Sequence, residues 1–135
     1  MSQNADIIGR VAGYFRKDPD ALLALLDPDI VMDWSASRAP YAGVYKGKDE
    51  IRHMWKATED AWDEWDTTIV ETIEPDAETV VIVTHVRARG QGSGVVVDAH
   101  GASIWKLRDG LVVYAKLYQD KAEALEEIRP KQAGT

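Results

Sequence analysis

The chain has 135 residues, 45% apolar and 29% charged, with a formal net charge of −7 and no cysteine. That length buries one sizeable core, and the composition is that of a globular domain and not of a disordered tail. The acidic excess argues against a nucleic-acid partner, and the missing cysteine excludes a disulfide frame, a thiolate metal site and a cysteine nucleophile.

Residues 1–10 carry Asp6 and Arg10 and lack the apolar core of a signal peptide. No apolar run approaches the ~18 residues that span a bilayer, so the expectation is a cytoplasmic protein without a membrane partner. Ile8, Val11, Ala12 and Phe15 fall at helical spacing and predict an amphipathic helix over 4–16. Asp18 and Pro19 restart helix as cap and first residue, Leu22, Leu23, Leu25 and Leu26 supply its buried face, and Asp27-Pro28-Asp29 ends it. Ile30-Val31-Met32 reads as a short strand that delivers Asp33 and Trp34 to a loop running from Ser35 to Gly47. A third helix begins near Lys48, with Ile51, Trp55, Thr58 and Trp62 on one face.

After Trp65 the period changes to two. Strands are expected over 67–73, 79–89, 95–107 and 111–119, joined by turns at 75–78, 90–94 and 108–110. Asp120 opens a short closing helix. The order predicts one α+β domain over 1–135, with a cone-shaped, curved, mainly antiparallel mixed sheet wrapped around three N-terminal helices and a short C-terminal helix. Such a cone leaves a cavity between sheet and helices, the usual place for a ligand.

Four of the five tryptophans lie between Trp34 and Trp65, and Asp33 stands directly before a loop with Tyr41 and Tyr45. That stretch reads as the wall and mouth of a pocket. Trp34 and Trp55 are the wall, because an indole offers a flat apolar surface with one donor; Trp62 and Trp65 are assigned to core.

The element order, together with Gly43-x-Tyr45-x-Gly47-x-x-x-Ile51, the Trp55/Trp62/Trp65 run, the strand ending in Arg-Ala-Arg-Gly-Gln-Gly-Ser-Gly, the hairpin Trp105-Lys-Leu-Arg-Asp-Gly110 and the terminal Tyr118-Gln-Asp120, resembles the SnoaL-like family of the nuclear transport factor 2-like superfamily. The resemblance covers nearly the whole chain and implies a homodimer packed through the sheet. It also implies one of several functions, since the superfamily includes steroid isomerases, polyketide cyclases, dehydratases, epoxide hydrolases and noncatalytic binding domains.

Asp33 is similar in position to the general base of ketosteroid isomerases. Among Trp34, Tyr41 and Tyr45 a carboxylate would lose hydration and have its pKa raised, which suits proton abstraction near neutral pH, while the alternative makes Asp33 a capping residue for the following loop. The isomerase oxyanion hole is not matched: Arg10 stands at the helix position, with Tyr14 one turn later, and Ala102 or Ser103 at the strand position. The epoxide-hydrolase triad is broken at Leu117. His85 and Arg87 share one face of a strand and complete the candidate catalytic set as stabilisers of developing negative charge, while the alternative makes them interface or solvated residues. His100 and Asp98 lie on the neighbouring strand. The candidate ligand-binding set is Tyr14, Trp34, Tyr41, Tyr45, Trp55, His100, Tyr118 and Asp120, the last with a helix-capping alternative. Three irregularly spaced histidines do not make a metal site, and no glycine loop of phosphate-binding form opens a helix, so neither metal nor cofactor is expected. The functional expectation is a protein that binds a small, largely apolar or cyclic molecule in the cone, with cofactor-free isomerase, cyclase or dehydratase chemistry as its active form. The alternative is a noncatalytic ligand-binding or dimeric assembly domain.

Overall fold

The computed structural model describes residues 2–37, 42–92 and 94–128. Helix α1, Gln3–Tyr14, opens with Ser2 as cap, its hydroxyl accepting from the Ala5 main-chain N–H at 3.1 Å. Ile7, Ile8 and Val11 form its buried stripe. Helix α2 is the single short turn Pro19–Leu23, capped by the Asp18 carboxylate through the Ala21 N–H at 3.1 Å. It stops earlier than expected. Strand β1, Leu26–Asp33, already begins before Pro28, whose missing N–H is accommodated where the register shifts between Leu26 and Val31.

Strand β2, Val44–Lys46, is a three-residue edge strand inside what reads as a loop; three residues are too few to show an alternation. Helix α3, Gly47–Ala61, buries Ile51, Met54, Trp55 and Thr58. The Glu50 carboxylate accepts the Lys46 N–H at 2.9 Å and settles its first turn. Strand β3, Trp62–Asp76, starts directly after the helix, so Trp62 and Trp65 lie on a strand. Strands β4, Thr79–Gly90, β5, Val96–Arg108, and β6, Leu111–Tyr118, follow, with helix α4, Lys121–Ile128, last. Asp109 and Gly110 both have positive φ, 53° and 79°, the geometry of a two-residue hairpin turn between β5 and β6.

The six strands form one sheet in the order β2-β1-β6-β5-β4-β3. Among the described residues the β1–β6 pairing alone is parallel, and the other four are antiparallel. The inner face packs Val80, Ile82, Trp105, Leu107 and Val112 against the buried stripes of α1, α2 and α3. The outer face carries a smaller cluster of Val81, Ala102, Ile104 and Tyr118, covered by Ala124 and Ile128 of α4. Apolar residues on both faces thus have two different covers, the helices inside and α4 over part of the outside.

Candidate functional site

Between sheet and helices lies a cavity of about 520 Å³, within the range of small-molecule sites. Its sheet wall follows the alternation of the strands: Ile82, Thr84 and Val86 from β4, and Val97, Ala99, Gly101, Ser103 and Trp105 from β5. Helix residues Ile8, Val11, Met54 and Trp55 close the opposite side. Trp34, Trp55, Trp65 and Trp105 all face the cavity, and the Trp34 and Trp105 rings meet edge to face at 6.1 Å. Phe15 bridges Trp55 and Trp65 with edge contacts at 6.4 and 5.8 Å.

Its polar lining is made of hydroxyls, main-chain groups and the Gln119 amide. The Trp65 indole donates to the Thr67 hydroxyl at 2.7 Å, and the Trp105 indole to the Ser103 hydroxyl at 2.7 Å. Thr58 donates back to the Trp55 carbonyl at 2.6 Å. Gln119 donates to the Ala36 carbonyl and ties the segment after β1 to the end of β6. Among the described lining residues there is no aspartate, glutamate, lysine or arginine.

Asp33, His85 and Arg87 do not line this cavity. Met32 pairs with Ala115 and Asp33 with Lys116, so when Met32 faces inward Asp33 faces out. On β4 the inward positions are even-numbered and His85 and Arg87 are odd. The rows of Asp33 and His85 are three strands and four residues apart, about 20 Å by strand spacing and rise, so the two cannot act on one atom.

Each is occupied on the outer face. The Asp33 carboxylate accepts from the Ser35 hydroxyl at 2.5 Å and from its main-chain N–H at 3.0 Å. The Ser35 hydroxyl bond, aided by the main-chain bond and the Lys116 charge, outweighs burial and holds Asp33 below the usual carboxylate range, the opposite of the rise expected for a desolvated base. His85 stacks on His100 at 4.5 Å with 12° between the rings, and its Nε2 meets Asp98 at 2.5 Å. Arg87 approaches the same carboxylate at 3.4 Å, and Asp98 is held low chiefly by the His85 bond.

Of the ligand-binding candidates, Trp34 and Trp55 line the cavity as side chains. Tyr118 pairs with Ala102 on the outer face, where burial under α4 raises its phenol above the ordinary tyrosine range, so it is the main chain at the end of β6 that borders the cavity there. The His100 ring is stacked outside, so the main chain beside Gly101 is what borders the cavity there. Tyr14 and Tyr45 pack against the core beside the cavity. Asp120 accepts the Glu123 N–H at 2.9 Å and caps α4. Tyr41 lies outside the described residues. Trp65, Trp105, Thr67, Thr84 and Ser103 were not expected in the lining. Once the inward parity of β4 is known, the strand register identifies the last four, and Trp65 follows from the early start of β3. Among the described residues no group of three or more acidic or histidine side chains is placed to hold a metal ion, and no helix is long and apolar enough to cross a membrane.

The cone of helices and curved sheet is that of the nuclear transport factor 2-like superfamily. Within it, the chain belongs to the SnoaL-like domain family, whose model matches residues 10–115. A nuclear transport factor 2-like protein of unknown function from Burkholderia pseudomallei superposes with a TM-score of 0.79 at 23% identity, over 96% of this chain and 100% of that one. TerC, crystallised with polyporic acid, superposes at 0.76 and 18% identity, over 93% and 97% of the two chains. A Mycobacterium tuberculosis protein in complex with estradiol-17β-hemisuccinate does so at 0.76 and 16%, over 90% and 97%. No curated protein matches the chain.

Proposed function

We propose that this protein is a noncatalytic binding domain for a small, neutral, largely apolar molecule held in the cone. One observation carries the reading: a 520 Å³ cavity walled by four indoles and aliphatic side chains, with no acidic, lysine or arginine side chain among its described lining residues. Burying an unpaired charge there is costly, so a charged ligand is disfavoured and a neutral one is not. Acid–base chemistry needs a titratable group within hydrogen-bond reach of the ligand, and Asp33, His85 and Arg87 face away from it. The complexes of TerC with polyporic acid and of the M. tuberculosis protein with estradiol-17β-hemisuccinate support a small-molecule occupant for the cone, while its neutrality rests on the lining alone.

Mass spectrometry of small molecules retained by the purified protein identifies the natural occupant. Quenching of tryptophan fluorescence by ethylnaphthalene against naphthoate tests the class, with the neutral compound expected to bind at least about 10-fold tighter. Equal or stronger binding of the carboxylate refutes the reading. In the same reading the exposed part of the outer face, with His85, Arg87, Asp98 and Val96, meets a second copy of the chain, as the family resemblance implies. Sedimentation showing only monomer up to millimolar protein refutes that part.

A further inference from the structure

Three hydroxyls lie on one diagonal of the cavity wall. Thr67 on β3 pairs with Val86, Thr84 is two residues before Val86 on β4, and Ser103 on β5 pairs with Ile82, two residues further back. All three line the cavity. Each step is one strand across and two residues along, about 7–8 Å between Cβ atoms, so the outer two stand about 15 Å apart.

The two outer hydroxyls are set by indoles. A tryptophan N–H can only donate, so Thr67 and Ser103 accept from Trp65 and Trp105. An oxygen that accepts on one side turns its own hydrogen elsewhere and offers it as a donor. Thr84 donates to the Gly101 carbonyl over a long 3.5 Å contact, weak enough for a better-placed ligand acceptor to take its hydrogen. Gly101, beside it, adds no side chain over the wall.

We propose that Thr67, Thr84 and Ser103 act as specificity-determining donors that select an elongated apolar ligand bearing acceptor oxygens, such as ketone, quinone or ester carbonyls, on the order of 10 Å apart. The inference rests on the ligand-binding reading and deepens it. A hydrocarbon of the same shape leaves these hydroxyls buried and unmatched, and a ligand with donors alone opposes donor to donor.

The test compares the para,para′-diacetyl and para,para′-diethyl derivatives of biphenyl by titration of tryptophan fluorescence and by calorimetry. The diketone is expected to bind about 10-fold tighter or more, from two matched hydrogen bonds. Thr67→Val and Thr84→Val keep a β-branched side chain in the strand, so both variants are expected to fold. Thr67→Val should cut the preference at least about threefold, and the Thr84→Val/Thr67→Val pair should bring it near unity, through weaker diacetylbiphenyl binding and diethylbiphenyl binding that is equal or tighter. Equal affinity of the two compounds for the unsubstituted protein overturns the donor inference alone. A preference that survives in the pair and in Ser103→Ala also overturns it. Failure of both compounds to bind overturns the cavity reading together with the inference.

Discussion

Replacing Ser103 by alanine removes one oxygen and leaves the Trp105 indole N–H without its acceptor. Both residues are 6% exposed, and their bond is 2.7 Å long. The hydrogen bond itself contributes about 1 kcal/mol, but a buried donor left unpaired adds its desolvation penalty, so the substitution costs about 1–3 kcal/mol. At about 4 °C per kcal/mol for a chain of this size, the melting midpoint falls by roughly 4–12 °C. Trp105→Phe removes the donor and also contact area, including the edge contact with Trp34, at about 1–3 kcal/mol. Ser103→Ala combined with Trp105→Phe no longer strands a donor. The double variant should therefore be more stable than the sum of the single losses implies, by about 1 kcal/mol or more. Urea unfolding followed by far-ultraviolet circular dichroism measures all four proteins. Additivity within about 0.5 kcal/mol would refute the claim that this indole depends on this hydroxyl.

Gly101→Ala places a methyl 3.9 Å from the Thr84 hydroxyl and 3.8 Å from the Tyr118 carbonyl, ordinary contact distances. It should raise stability by about 0.4–1 kcal/mol while weakening diacetylbiphenyl binding several-fold, read by melting and titration side by side. Asp33→Asn and His85→Ala should leave cavity affinity within about twofold, because neither side chain lines the cavity; a tenfold loss in either would return that residue to the site. Asp33, Asp76 and Asp98 are held low by Ser35, by the Glu78 main chain and by His85 respectively. Depressed carboxylates stabilise the fold above about pH 4 and lose that contribution as pH falls through their folded values, so the midpoint should fall modestly below pH 4, these groups being largely exposed, and less so in Asp33→Asn. Tyr114 and Tyr118 are raised mainly by burial, so stability should also decline above about pH 10, where the unfolded phenols ionise first. Ile30→Ala, at a fully buried position, should cost about 2–5 kcal/mol in the same unfolding assay.

The order of helices and strands was legible because its signals are local: a capping residue at Asp18, a 3.6-residue period in α1 and α3, and alternation from Thr67 onward. The three-residue β2 was not, since its place depends on pairing with Val31 to Asp33 and not on its own pattern. Trp62 and Trp65 follow Trp55 and Thr58 at spacings a continuing helix would also give, yet Trp62 already has extended backbone. Trp65 consequently points into the cavity. The largest gap concerned the faces of β4. Val80 and Ile82 on one side and Val81 and Val83 on the other are all buried, so apolar pattern alone does not say which side is hollow. Only the register with β5 and the position of α4 place His85 and Arg87 outside. For Asp33, a carboxylate at a strand end beside aromatic residues reads either as a desolvated base or as a cap for the loop that follows, and the Ser35 bonds two residues on agree with the cap.

The parallel pairing of β1 with β6 has a consequence for how the protein is made. Strand β1 ends at Asp33 and β6 begins only at Leu111, so on a ribosome adding about 5–20 residues per second the neighbour of Met32 arrives several seconds later. Until then β1 with Trp34 has no β6 to join it to the rest of the sheet, and the future ligand chamber is an open apolar trough. Nascent chains paused before Leu111 should therefore be the species most exposed to chaperones, since the hydroxyl-bearing wall is already made while β1 still waits for its neighbour.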